Sequence, residues 1–151
     1  MNKCIAIIPA RGGSKRIPRK NIKNFLGKPI MVYAIESALR SGLFDEVMVS
    51  TDDEEIAIIA KKHGAKVPFF RSAKNADDHA STFSVLEEVL TAYSGVTSAA
   101  CIYPTAPFVT PEKLKSAQDL LRKNRFDTVF TAMKYGHPID RALQIHTTTG
   151  K

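Results

Sequence analysis

Residues 4–21 read CIAIIPARGGSKRIPRKN, and the order of features within that stretch decides the fold. Ile5-Ala6-Ile7-Ile8 is an apolar run without polar alternation, the pattern of a strand covered on both faces. Gly12 and Gly13 follow at once and allow a tight loop whose backbone N–H groups point into a concavity, a nest for an anion. Around them stand Arg11, Lys15, Arg16, Arg19 and Lys20, and no acidic residue occurs before Glu36. A solvated basic turn accounts for the charge alone. The glycine pair placed directly after a strand favours a polyphosphate. The spacing is neither a Walker A loop nor G-x-G-x-x-G, so neither mechanism carries over.

The charge of the whole chain sharpens that reading. Its 151 residues carry 22 Lys and Arg against 15 Asp and Glu, a formal net charge of +7. Residues 1–28 hold eight of the bases and none of the acids, which leaves 14 bases against 15 acids, or −1, for the remainder. The basicity is therefore local to the opening loop, which argues for one anionic ligand and against a surface that lies along nucleic acid. The length suits one α/β domain with a real core, expected to span residues 1–151.

Cys4 and Cys101 sit in apolar runs without metal-site spacing and read as buried, reduced thiols. His63 falls in the last turn of a predicted helix, where a cation suits the dipole. The four histidines share no ligand spacing, so no metal site is assigned. No apolar run reaches membrane-spanning length, and residues 4–8 are too few for a secretory core, so a cytoplasmic protein is expected.

Outward from the loop, the chain alternates strand and helix. Pro29 opens a helix whose apolar positions are Met31, Ala34, Ile35, Ala38 and Leu39, stopped at Gly42. A strand over 46–50 leads to Thr51-Asp52-Asp53, an N-cap cluster for a helix striped by Ile56, Ile59 and Ala60 and ended by Gly64. A metal role is the minority reading of those aspartates. Residues 65–70 predict a short edge strand weakened by Pro68, and 71–80 a polar loop. A helix follows over 81–93, with Phe83, Leu86, Leu90 and Tyr93 on its apolar side.

A strand over 98–103 runs into Pro104-Thr105-Ala106-Pro107. Thr110-Pro111 caps a further helix with Leu114, Ala117 and Leu121 inward. Residues 127–133 predict a fifth strand, and 142–146 could be another. This alternation implies an open, mostly parallel, doubly wound sheet of Rossmann-like type with helices on both faces. In such sheets ligands lie beyond the carboxyl ends of the strands, where the basic loop, Asp52-Asp53, Arg71 and Pro104-Thr105 would converge.

Several stretches then become specific. AIIPARGGSKRIPRKNI at 6–22 resembles the signature loop of the nonulosonic acid cytidylyltransferases, which include the CMP-sialic acid synthetases. VSTDDEEIA at 49–57, Arg71 with its loop to Ser81-Thr82, and YPTAP at 103–107 follow in the order of that family. CIYPTAPF at 101–108 and HPIDRAL at 137–143 are similar to the pseudaminic acid branch. Sialic acid synthetases carry Gln-Pro-Thr-Ser-Pro, and Tyr103 stands here in place of that glutamine.

The resemblance implies transfer of CMP from CTP to a nine-carbon α-keto acid sugar, with Mg²⁺ assistance and a homodimer. CMP-sialic acid or CMP-ketodeoxyoctonate synthesis, or CTP binding without catalysis, are the alternatives. It implies catalytic roles for Arg11 and Lys20. It implies nucleotide contacts from Arg11, Gly12, Gly13, Ser14, Lys15, Lys20, Asn21, Arg71, Ser81, Thr82 and Tyr103. Plainer readings stand beside these. Arg71 could pair with Asp77 or Asp78, Thr82 could be an N-cap, Tyr103 could pack as core, and Arg16 and Arg19 suit structural roles. The family's metal-binding aspartates, a substrate arginine and a dimerising extension lie further along than residue 151, so a chain cut short before them is expected.

Overall fold

The computed structural model describes residues 3–134 and Gly136. Strand β1 (Lys3–Pro9) is the centre of a three-stranded parallel sheet, with β4 (Glu46–Ser50) on one side and β5 (Val96–Cys101) on the other. Ile5, Ala6, Ile7 and Ile8 have no exposed surface, as an unalternating apolar run requires. Between them lie a small antiparallel hairpin, β2 (Asn24–Phe25) with β3 (Lys28–Pro29), and helix α1 (Ile30–Ser41). Pro29 is the residue before α1, and Gly42 ends it in the left-handed region, φ 66°.

Helix α2 (Glu54–Lys62) is capped by Asp53, whose carboxylate accepts the Ile56 N–H at 3.0 Å. The short α3 (Ala73–Ala76) interrupts the expected polar loop. Helices α4 (Thr82–Ala92) and α5 (Pro111–Lys123) complete the described elements. Thr110 caps α5 as its sequence implies, and Ser81, not Thr82, caps α4.

The two faces of β1 carry two cores. Ala6 and Ile8 pack with Met31, Ala34 and Ile35 of α1 and Ile56 and Ala60 of α2. Ile5 and Ile7 pack with Met48 and with Val89 of α4. Helices therefore cover both faces, and the doubly wound reading stands. Among the described residues no helix is long and apolar enough to cross a membrane.

Four expectations need correction. Residues 65–70 make only an isolated parallel bridge, Lys66 to Met48, because Pro68 has no N–H to extend the ladder. Helix α4 turns Val85 and Val89 inward with Leu86 and Tyr93 of the predicted side packed beside them, leaving Phe83 73% and Leu90 39% exposed. Cys101 is exposed on the outer strand, and both cysteines are free thiols.

The fourth concerns residues 127–133, which form no strand; Phe130 and Met133 are exposed. Val109 and Leu114 pack on the α1 face of the sheet, and the Ser37 hydroxyl donates to the Val109 carbonyl at 2.7 Å, so α5 lies on the same side as α1. Parallel crossovers are right-handed, and β1–α1–β4 steps toward β4 over that face. A step from β5 over the same face to its free edge would need the opposite hand. The β propensity of DTVFTAM is thus not expressed at that edge among the described residues. The possible strand over 142–146 lies outside the described residues.

Candidate functional site

Parallel pairing puts the carboxyl ends of all three strands at one edge of the sheet. There Pro9 leads into the glycine loop, Ser50 into Thr51-Asp52-Asp53, and Ile102 into Tyr103-Pro104-Thr105. A cleft opens between them, bounded by Pro9, Arg11, Ser14, Lys20 and Asn21 on one wall. Ala80, Ser81, Thr82 and Val85 form the second wall, and Tyr103, Pro104 and Thr105 the third. One end is cationic. The other carries hydroxyls and apolar surface.

Asn21 sits at the start of the cationic wall and is only 4% exposed. Its Nδ2 donates to the Arg11 carbonyl at 2.9 Å, while its buried Oδ1 has no hydrogen-bond partner among the described residues. An orphaned carbonyl oxygen costs roughly 1–3 kcal/mol unless a donor arrives. A ligand N–H or O–H in the cleft is such a donor.

Arg11 donates to the Ala76 carbonyl at 3.3 Å, and its guanidinium lies 2.6 Å from Asp78. Lys15 pairs with the other oxygen of the same carboxylate. Those two cations hold Asp78 well below the usual carboxylate range, Lys15 acting most strongly. Lys20 is exposed at the cleft and has no carboxylate partner among the described residues.

The glycine loop itself differs from an open nest. The Gly12 N–H donates to Asp52 Oδ1 at 2.9 Å, and the Ser14 N–H donates to the Gly12 carbonyl at 2.9 Å. Both amides are thereby engaged within the protein. Gly13 is exposed, with open space where a Cβ would stand. Arg19 forks onto Asp53 and also reaches Glu55, a structural pairing. The hydrogen bonds from Arg19 lower the Asp53 pKa against the opposing effect of burial.

Arg71 lies outside the cleft wall, 7% exposed, with Nε 3.0 Å from Ser50 Oγ and Nη2 2.6 Å from the Ser50 carbonyl. It pairs with neither Asp77 nor Asp78, and burial lowers its pKa. The Thr82 hydroxyl lies 3.1 Å from the Tyr103 hydroxyl, and Tyr103 is 56% exposed, so it is a cleft wall and not core.

Among the described residues no three His, Cys, Asp or Glu stand together to hold a metal ion. Asp52 and Asp53 are committed to Gly12, to the α2 cap and to Arg19, so they do not fit an Mg²⁺ site.

The cytidylyltransferase family pattern matches residues 5–147. The chain belongs to the cytidylyltransferase family. It is 47% identical over 148 residues to the pseudaminic acid cytidylyltransferase of Campylobacter jejuni, covering 95% of this chain and 64% of that protein. The CMP-N,N'-diacetyllegionaminic acid synthase of Legionella pneumophila is 37% identical over 120 residues, 77% of this chain and 52% of its own. Among solved structures, a CMP:2-keto-3-deoxy-manno-octonic acid synthetase complexed with CTP superposes with a TM-score of 0.71 at 27% identity, covering 82% of this chain and 49% of that one. This cytidylyltransferase chain thus spans slightly less than two thirds of the C. jejuni relative's length.

Asp78 escaped the sequence reading as a partner of the cations, as did Asp52 as the acceptor for Gly12. The signal for Asp78 was present: an acidic pair, Asp77-Asp78, in a chain whose first 28 residues carry only positive charge. Nothing local in the sequence marks the contact of Asp52 with a glycine 40 residues away.

Proposed function

We propose that the protein is a nucleotidyltransferase that moves CMP from CTP to a nonulosonic acid, pseudaminic acid, releasing pyrophosphate. The observation that carries the reading is the cleft with a cationic end at Arg11 and Lys20 and a buried, unpartnered Asn21 carbonyl in its wall. The sugar's anomeric hydroxyl oxygen forms a bond to the α-phosphorus as the bond from that phosphorus to the oxygen bridging the β-phosphate breaks, pyrophosphate leaves, and the hydroxyl proton passes to solvent. Such a transfer needs alignment and charge neutralisation more than a covalent catalyst. Arg11, Lys15 and Lys20 would neutralise the leaving pyrophosphate, and Asn21 would accept a hydrogen bond from the nucleoside part.

Among the described residues lining the cleft there is no carboxylate or histidine, and Arg11 and Lys20 serve binding and neutralisation. Mg²⁺ finds no ligand set among the described residues. The identity with the C. jejuni pseudaminic acid enzyme supports that sugar over sialic acid or ketodeoxyoctonate. The homodimer expected from the resemblance and the cytoplasmic location expected from the sequence belong to the same proposal.

The test is a calorimetric titration of the full-length protein with CTP, UTP and ATP. Binding selective for CTP and weakened at least about tenfold by Lys20→Ala is expected, the loss of one charge-assisted contact. A pyrophosphate-release assay with pseudaminic acid, N-acetylneuraminic acid and ketodeoxyoctonate then selects the sugar. Equal affinity for all three nucleotides would sink the reading.

A further inference from the structure

Asp52 and Asp53, at the N-terminus of α2, touch the glycine loop at both of its ends. At the first end the Gly12 N–H donates to Asp52 Oδ1 at 2.9 Å. A Cβ built on Gly12 would stand 2.5 Å from Asp53 Oδ2 and 2.9 Å from Asp53 Cβ, closer than real Cβ contacts come. At the other end Arg19, held in the left-handed region at φ 54°, forks onto the Asp53 carboxylate. Between these two attachments lie Ser14 and Lys15, and Lys20 and Asn21 follow directly.

Asp53 is itself fixed. Asp53 Oδ1 accepts the Ile56 N–H at 3.0 Å, and the Asp53 N–H donates to Thr51 Oγ1 at 3.1 Å. Thr51 is fully buried at the end of β4. A rigid strand-to-helix turn thus grips a loop whose span between Gly12 and Arg19 has no regular structure.

Gly12 is not among the glycines with positive φ, so its backbone conformation alone does not demand glycine. What a side chain would meet there is Asp53.

We propose that Asp52 and Asp53 are positioning residues that set the glycine loop, and with it Lys15, Lys20 and Asn21, in the geometry that receives the nucleotide. Gly12 is required to let Asp53 approach and not to admit a phosphate. This rests on the CTP reading above. Two acidic groups beside a phosphate site would by charge alone weaken anion binding, so positioning and simple repulsion predict opposite signs.

CTP affinity of the full-length protein is measured by calorimetry for Asp52→Ala and Asp52→Asn. Asp52→Ala removes the acceptor for Gly12 and is expected to weaken CTP binding about fivefold or more, the worth of one hydrogen bond. Asp52→Asn keeps an acceptor oxygen and is expected to stay within about twofold of the parent, because the bond that shapes the loop remains.

Gly12→Ala is measured alone and combined with Asp53→Gly, which opens the space and still caps a helix. Its loss in affinity is expected to shrink at least about threefold in that background, the signature of residues in contact. Asp52→Ala binding CTP as well as the parent or better would overturn the proposal. So would an equal Gly12→Ala loss in both backgrounds. If Gly12→Ala does not fold, the Asp52 pair decides alone. Failure of the nucleotide reading looks different: the unmutated protein then binds no CTP.

Discussion

Asp78 places its carboxylate 2.6 Å from the Arg11 guanidinium and bridges to Lys15 with its other oxygen. A carboxylate thus lies on two of the cations expected to meet a triphosphate, and an arriving anion has to compete with it. Asp78→Asn is expected to tighten tripolyphosphate and CTP binding about threefold or more, as one opposing charge is removed from two cations. Asp77→Asn is the control for net charge, since among the described residues the Asp77 carboxylate accepts from the His79 N–H in its own turn and pairs with no cation. Equal gains from both variants would reduce the Asp78 bridge to background charge.

Asn21 supplies a sharper test of the cleft. Its Nδ2 supports the Arg11 carbonyl, and its Oδ1 waits for a donor. Asn21→Ala is expected to weaken CTP binding by about 1–3 kcal/mol. Tripolyphosphate, which has no nucleoside to donate, is expected to lose less. A matching loss for both ligands would place the role of Asn21 in loop support and not in the nucleoside contact.

Arg71 is expected to act first on stability. It is buried, with two side-chain hydrogen bonds on Ser50 at the end of β4, so Arg71→Ala removes a packed, hydrogen-bonded side chain. A loss of about 2–4 kcal/mol in urea unfolding is the expected result. An unchanged unfolding midpoint combined with lost CTP binding would move Arg71 into the cleft.

Helix α4 offers a paired prediction. Val89 has no exposed surface and packs on Ile5, Ile7 and Met48, so Val89→Ala is expected to cost about 2 kcal/mol. Phe83 is 73% exposed, and Phe83→Ser is expected to change stability by less than about 0.5 kcal/mol. The reverse ranking in urea unfolding would restore the helix face that the sequence pattern suggested.

Glu46 governs part of the acid response. Burial pushes its pKa up, but hydrogen bonds from Tyr93 and Lys66 and the charges of Lys3 and Lys66 outweigh it, and the net shift is downward from 4.5. A carboxyl lowered in the folded state binds fewer protons than its unfolded counterpart. Its stabilisation is therefore full above the unfolded value and fades as pH falls through the folded one. Stability is expected to drop from about pH 6 to about pH 3, and Glu46→Gln is expected to flatten that drop. An equally steep profile in Glu46→Gln would assign the acid response to the other lowered carboxylates, Asp53, Asp78, Glu88 and Glu112.

What could be read without coordinates follows from how local each signal is. The β1 run, the α1 stripe and the Asp53 and Thr110 caps are set within a few residues, and each forms as its pattern implies. The face of α4 was misjudged because Phe83 and Leu90 are as apolar as Val85 and Val89, and only the sheet beneath decides which pair is covered. Residues 127–133 have strand propensity, but propensity says nothing about which side of the sheet the preceding helix takes. At the site the cations were legible because they cluster in sequence. Asp78, the partner of Arg11 and Lys15, is signalled only by its acidic pair, and the contact of Asp52 with Gly12 by nothing local, because both contacts join segments 40 or more residues apart.

Among the described residues strand β5 leaves one edge of the sheet unpaired, and its exposure alternates along VTSAAC without a single charge or proline. Other proteins guard such edges with lysines, prolines or bulges that discourage a second strand from adding on. Here the colloidal behaviour of the molecule hangs on whatever shields six neutral residues. Left bare, that row of free N–H and C=O groups is a template for self-association, with the Cys101 thiol exposed at its end.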